Sequence, residues 1–466
     1  MTNPLLQKTL GFATDFLESL SSRNVDATSR IEDLRRALGG ELRDESMDAE
    51  AVIDLLARAG DAGIVASTGP RFFGFVVGGA LPVSVAADWL TVTWDQNAGI
   101  YVLSPTASVV EETAARWLVD LFDLPRDASV GFVTGAQMAN LTALAAARYE
   151  VLRRVGWDVH TDGLTGAPRV HVIAGGDVHI TIARALRLLG MGTRMKIAEA
   201  DEQGRMRPDA LAAALKSCEG PTIVCAQIGN VNSGAFDPVD AIAGITRKHG
   251  AWLHVDGAFG LWARASTRLR PLARGVELAD SWATDAHKWL NVPQDSGVVI
   301  VADAAAHRAA MSTDASYIVK SSGVERDPID WVPEFSRRAR GFAVWAALRH
   351  LGRNGVRDLI ERCCRHARNF AEQLDRSPRV SILNDVVLNQ VLVRFTPPRG
   401  DGDEFTRAVI GRIQRDGTCW AGGTTWRGMA TMRLSVSNWS TTDEDVTRSA
   451  EAMLRCVEEE AASLGS

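Results

Sequence analysis

Trp252-Leu-His-Val-Asp-Gly-Ala258 and, about thirty residues on, Ser281-Trp-Ala-Thr-Asp-Ala-His-Lys-Trp289 share one design: a short apolar run that stops on polar residues. A run of this length, bounded by polar and small residues, predicts a buried strand rather than a helix. Moving outward, Val170-His-Val-Ile173, Thr222-Ile-Val-Cys-Ala226 and Gly297-Val-Val-Ile-Val301 repeat the design between long helical stretches, from about residue 110 to 302. Such alternation predicts an α/β fold with a mostly parallel sheet wrapped by helices. Ligands of such sheets collect at the carboxyl ends of the strands, where Asp256 and Lys288 both fall.

Further out, residues 1–65 set apolar and charged positions at helical spacing, as in Ile31-Glu-Asp-Leu-Arg-Arg-Ala-Leu38, and predict an amphipathic arm. Between Pro70 and Pro105 the composition turns to Gly, Phe and Val with little charge, which suits a segment buried against another surface such as a second subunit. A polar stretch at 312–340 precedes a last section of mixed helix and strand. The expected division is an arm and interface segment at 1–105, a large domain at 106–345 and a small α+β domain at 346–466.

The 466 residues are 46% hydrophobic, enough for a large core, and carry a formal net charge of −6. A mildly acidic chain attracts neither nucleic acid nor an anionic membrane surface, which leaves a small molecule as the expected partner. The six cysteines lack metal-ligand or redox spacing and read as reduced, mostly buried thiols; no metal is expected. The N-terminal residues do not have the pattern of a signal peptide, and no apolar run approaches the roughly 20 residues that span a bilayer, so the expected compartment is the cytoplasm.

The polar strand ends carry the chemistry. An aspartate such as Asp256 at a buried strand end needs a cationic partner to remain ionised, although alone it is as readily a helix cap. Lys288, between a histidine and a tryptophan, is placed where an amine can lose its water and form an imine with an aldehyde; alone, a His-Lys pair is more often a solvated turn. Together, after successive strands of one sheet, they suit pyridoxal 5′-phosphate, which needs an amine for its aldehyde and a carboxylate for its ring nitrogen. A phosphate site should accompany them. Val133-Thr-Gly-Ala-Gln-Met-Ala-Asn140 passes from a strand end through a Thr-Gly turn into an Ala-rich helix, so Thr134, Gly135, Ala136 and Gln137 are candidates. His179 follows another strand just before a helix, where an imidazole can lie on a ring and handle a proton, or simply bond locally.

These segments resemble the group II pyridoxal-phosphate-dependent amino-acid decarboxylases, the aromatic-L-amino-acid and glutamate decarboxylase family. The resemblance runs from about residue 65 to 450 and rests on His287-Lys288-Trp289, His254-Val-Asp256-x-Ala258, Asp177-x-His179, and Ser104-Pro105 followed by Glu111. It implies the aspartate-aminotransferase-like fold (fold type I) as a homodimer with the active site at the subunit interface, lined in part by the partner's 70–105 segment. It further implies Lys288 as the internal aldimine, Asp256 as partner of the ring nitrogen, His179 stacked on one ring face and Ala258 on the other. Ala136 and Gln137 would bind phosphate, with His287 and either Ser233 or Asn230 nearby. The reaction implied is decarboxylation of an L-amino acid to an amine.

Three departures qualify the resemblance. Pro328, in Ser322-Gly-Val-Glu-Arg-Asp-Pro-Ile-Asp-Trp331, stands where aromatic-specific members place a loop tyrosine implicated in protonating the carbanion, and proline has no proton to give. Gly229-Asn230-Val-Asn232-Ser233 replaces a segment that carries a threonine near the cofactor, and Asn97 and Gly99 stand where apolar side chains are expected. The alternatives are therefore an aldehyde-forming oxidative decarboxylase, another carbon–carbon lyase using the same cofactor, and, from a different class, a non-catalytic dimeric binding protein on the same scaffold.

Overall fold

The computed structural model describes residues 3–42, 44–313, 316, 320 and 325–465. They form two compact units, one of residues 78–365 and 384–390, the other of residues 1–77, 366–383 and 391–466. These are not the three expected segments. Residues 78–105 join the larger unit because their backbone is tied into it: Gly78 N–H donates to the His287 carbonyl, Leu81 N–H to Asn291 and Ala98 N–H to Arg337.

The larger unit is built on seven strands: β1 (Ser129–Val133), β2 (His171–Gly175), β3 (Lys196–Ala198), β4 (Thr222–Gln227), β5 (Trp252–Asp256), β6 (Ser281–Asp285) and β7 (Gly297–Val301). Their order across the sheet is β1-β7-β6-β5-β4-β2-β3. Neighbours from β6 to β3 pair in parallel, whereas β7 runs antiparallel to both β1 and β6. The expectation of a mostly parallel sheet therefore holds, with β7 reversed. β1, β5, β6 and β7 are buried along their whole length, as strands covered on both faces are. This accounts for their unbroken apolar sequences. The core joins Val133, Ile182, Cys225, Trp252, Ala283 and Val299 to the small-residue face of the Ala-rich helix that follows β1.

Strand direction and register gather the polar ends. Asp256 pairs with Gln227 of β4, and Asp285 with Gly297 of β7, which in turn lies beside Val133 of β1. The ends of β1, β4, β5 and β6 and the start of β7 thus share one edge of the sheet.

The second unit carries a four-stranded antiparallel sheet of Gly422–Trp426, Met429–Ser435, Gln390–Phe395 and Val380–Ile382, in that order, with helices at Pro4–Ser19, Ala49–Asp61, Gly402–Asp416 and Asp443–Gly465. Among the described residues no helix is long and apolar enough to cross a membrane, and no cluster of metal-ligating side chains occurs. Five cysteines are buried and Cys218 is half-buried, all as free thiols.

Candidate active site

Lys288 sits in a single helical turn, α1 (Ala286–Trp289), begun by Asp285, whose Oδ1 accepts the His287 N–H at 2.9 Å. The lysine is half-buried. Its Nζ lies 5.7 Å from the centre of the Phe259 ring, and among the described residues no hydrogen bond or ion pair holds it. No carboxylate pins this amine, so it is open to an incoming aldehyde. His287 is buried, and its Nδ1 lies 2.8 Å from the Val292 carbonyl, so Nδ1 carries a proton and donates to it.

Asp256 ends β5 and is 3% exposed. Its Oδ1 accepts the Ala258 N–H at 3.1 Å and its Oδ2 accepts Asn140 Nδ2 at 3.0 Å. Asn140 lies in the Ala-rich helix, α2 (Ala136–Arg153), four residues from its start, and also donates to Thr181 Oγ1 at 3.2 Å. The side-chain carbonyl of Asn140 meets His254 Nε2 at 2.9 Å. Burial lowers the His254 imidazole to about 4, against the opposing charge of Asp256, so this ring is neutral near pH 7.

His179 caps the helix α3 (Ile180–Leu188), with Nδ1 2.8 Å from Thr181 Oγ1 and accepting the Thr181 N–H at 3.3 Å. Its own N–H donates to Gln227 Oε1 at 3.1 Å. Gln227 is anchored by Asp237, whose oxygens accept the Gln227 and Met206 N–H groups, both at 2.7 Å; burial pushes this carboxyl up to about 7.

At the expected phosphate seat, Gly135 is the cap of α2 and fits against Gly297 so closely that a β-carbon on Gly297 would come within 2.3 Å of the Gly135 carbonyl carbon. Ala136 does not present an open donor, contrary to expectation: its N–H donates to Asp285 Oδ2 at 2.9 Å. The pairing of β6, β7 and β1 brings Asp285 to the start of α2, and its carboxylate takes the first N–H itself. Gln137, one residue further in, has an N–H with no intrahelical acceptor, and its side chain donates to the Thr181 carbonyl at 3.3 Å.

Ser233 departs from expectation in the same way. It is fully buried, and its hydroxyl donates to the Gln203 carbonyl at 2.6 Å and accepts the Ala235 N–H at 3.2 Å. Asn230 turns Oδ1 to the N–H groups of Asn232 and Ser233, while its buried Nδ2 has no partner among the described residues. Its neighbour Gly229 lies against Phe259, the ring under Lys288.

Of the remaining motif residues, Glu111 has a structural place: it forms a buried ion pair with Arg337 at 2.7 Å. Ser322 to Val324 lie outside the described residues, whereas Pro328 is buried in a 3-10 turn, Pro328–Trp331. That turn is fastened by Ile329 N–H to the Gly99 carbonyl and, just before it, by Tyr101 N–H to Asp327. Asn140, Thr181, Asp285 and Phe259 had not been singled out. The available signal for Asn140 was a lone amide on the buried face of an alanine helix.

An unpaired amine, a buried carboxylate on the neighbouring strand end and an unsatisfied buried amide fit an aldehyde-bearing ring with an anionic tail. Comparison with known proteins agrees. The model of the pyridoxal-dependent decarboxylase conserved domain matches residues 32–396. The acidic amino acid decarboxylase of Bos taurus is 30% identical over 389 residues, covering 80% of this chain and 73% of that protein. TDC from Oryza sativa, solved with PLP and tryptamine, superposes with a TM-score of 0.91 at 24% identity, over 98% of this chain and 99% of that one. A 4-hydroxyphenylacetaldehyde synthase from Rhodiola rosea superposes at 0.86 and 22% identity, over 99% and 97% of the two chains. The fold is the aspartate-aminotransferase-like type I fold.

Proposed function

Because the chain belongs to the family of pyridoxal-dependent decarboxylases, we propose that Lys288 is the residue that carries its cofactor, pyridoxal 5′-phosphate, and that its substrate is an L-amino acid released as an amine and carbon dioxide. The protein is a carboxy-lyase that depends on this cofactor. The observation that carries the finer reading is the Lys288 amine, unpaired over Phe259 in the turn after the strand next to the one ending in Asp256.

Bound there, the cofactor supplies an electron sink for the bond between the α-carbon and its carboxylate. Asp256 would hold the ring nitrogen, and Ala258, which lacks bulk, would pack against one ring face. His179 would lie on the other face and give the α-carbon its proton. Gly135, Gln137, Asn230 and His287 would hold the phosphate end; Ala136 and Ser233 leave that set because their donors are engaged within the protein. Borohydride reduction followed by peptide mapping should fix the cofactor on Lys288, and carboxyl-labelled amino acids should yield carbon dioxide with Lys288→Ala as the blank. Mapping to another lysine would overturn the assignment.

A second reading, oxidative decarboxylation to an aldehyde, is favoured by Pro328, which has no proton to offer where the resemblance places a tyrosine. Product analysis separates the two: amine for the first, and for the second, with dioxygen as the oxidant and water consumed, aldehyde with ammonia and hydrogen peroxide.

A homodimer belongs to the same proposal. Leu6, Leu10, Val52, Leu55 and Leu56 on the N-terminal helices are exposed, and within the larger unit so are Trp89, Leu90, Val92 and Trp94. Apolar patches of this kind mark interaction surfaces, and a second copy is the partner the family suggests. Sedimentation should give twice the chain mass. Cytoplasmic residence, consistent with six free thiols, completes the reading.

A further inference from the structure

A directed chain of hydrogen bonds joins Trp252 to His179 through the buried interior. Trp252 Nε1 lies 2.9 Å from Ser281 Oγ, which lies 3.0 Å from His254 Nδ1; His254 Nε2 reaches Asn140 Oδ1 at 2.9 Å. Asn140 Nδ2 reaches both Asp256 Oδ2 and Thr181 Oγ1, and Thr181 Oγ1 reaches His179 Nδ1. Ser281, His254 and Asn140 are each 0% exposed, so no solvent intervenes at these links.

The directions follow from the groups whose role is fixed. The Asp256 carboxylate only accepts, so Asn140 turns its amide nitrogen to it and its carbonyl oxygen to His254 Nε2, which donates. The neutral His254 ring then accepts at Nδ1 from the Ser281 hydroxyl, which itself accepts the indole N–H of Trp252. The two amide hydrogens go to Asp256, a carboxylate that only accepts, and to Thr181. The main-chain N–H of Thr181 can only donate and points at His179 Nδ1, so this nitrogen is an acceptor and the threonine hydroxyl donates to it as well.

We infer that Asn140 and Thr181 are positioning residues that hold His179 as the tautomer with its proton on Nε2. The inference rests on the proposed role of His179 at the substrate and specifies it: the proton His179 delivers is the one on Nε2, while Nδ1 serves only as an acceptor. It also gives Asn140 a second task. A primary amide donates to the Asp256 carboxylate and to the His179 branch alike but does not pass a proton between them, so the two groups share an orientation and keep separate protons.

The test is the protonation pattern of His179 in the holoenzyme, labelled with 15N-histidine and read by two-bond proton–nitrogen correlation, with His179→Gln to assign its signals. The expected spectrum shows protonated Nε2 and unprotonated Nδ1. Thr181→Val removes the hydroxyl, the closer of the two donors to Nδ1, and leaves only the longer main-chain bond; the two nitrogen shifts should move toward each other as the second tautomer appears, with kcat down about tenfold, the effect of one lost hydrogen bond, and Thr181→Ser should restore both. Asn140→Ala, checked for folding by circular dichroism, should mix the tautomers as Thr181→Val does. A native His179 protonated on Nδ1, or an unchanged His179 spectrum in Thr181→Val, overturns the inference. The two levels are separable: carbon dioxide release with Nδ1–H sinks the tautomer alone, and absence of release with Nε2–H sinks only the proposed function.

Discussion

Gly78 lies directly against Lys288: a β-carbon at Gly78 would come within 2.1 Å of the Lys288 carbonyl oxygen and 2.5 Å of that of His287. Both contacts are main-chain atoms, which cannot turn aside as a side chain tip can. Gly78→Ala should therefore shift the lysine turn, lowering stability by roughly 2–4 kcal/mol and reducing the retained cofactor. Denaturant unfolding and the visible absorbance of the purified variant measure the two effects; a variant with native stability and full cofactor content would contradict the packing.

Asp256→Asn keeps the shape and removes the charge that would hold the ring nitrogen. Carbon dioxide release should fall roughly 100-fold or more, with the fold intact by circular dichroism. Release within a few-fold of native would mean that Asp256 does not have this role.

Glu111 and Arg337 are 1% and 0% exposed at their side chains, and Arg337 also donates to the Ala98 and Phe132 carbonyls. Glu111→Ala leaves a buried guanidinium without its counter-charge and should cost about 3–5 kcal/mol. Glu111→Ala combined with Arg337→Met should recover part of the loss, because a neutral side chain no longer requires a partner. Equal destabilisation by the single and double variants would show that the lost hydrogen bonds, not the lone charge, dominate.

Two buried histidines make stability depend on pH. Burial lowers His254 to about 4 and His307 to about 3, below the ordinary value of 6.5. As pH falls below 6.5 the unfolded chain takes up protons that the folded protein refuses, so stability declines from pH 6.5 toward pH 4. The decline is on the order of 3 kcal/mol per histidine by pH 4, at about 1.4 kcal/mol per pKa unit. Unfolding midpoints measured across this range should show it, and His307→Leu should flatten the slope. An identical slope in that variant would remove His307 from the explanation.

Pro328→Ala exchanges one residue without a transferable proton for another, so the ratio of amine to aldehyde should not change, although loss of the buried ring should lower stability. A changed ratio by chromatography would place this turn in control of the product.

Much of the fold was legible because buried strands have unbroken apolar sequences, and the places of Asp256, at the end of such a run, and of Lys288, in the turn after one, could be read from the same pattern. A run of valine and isoleucine carries no direction, however, so the reversal of β7 could not be read from Gly297-Val-Val-Ile-Val301. The engagement of Ala136 was equally hidden. Asp285 as a cap for His287 is a local pattern, but its second bond reaches 149 residues back and exists only because β7 sets β6 beside β1. Asn140 and Thr181 belong to helix α2 and the first turn of α3, and only the folded sheet brings them to Asp256 and His179.

The division of the chain into units also sets an order of events during synthesis. The unit that contains Lys288 has all its residues once Gln390 has been made, whereas residues 1–77 await residues 391–466. At roughly 5–20 residues per second this interval lasts about 4–15 s. During it the lysine-bearing unit can close while Val25, Arg71 and Phe73 still lack Gly417, Thr418 and Trp420, the residues to which they are hydrogen-bonded, so these segments wait for chain made after that unit is complete.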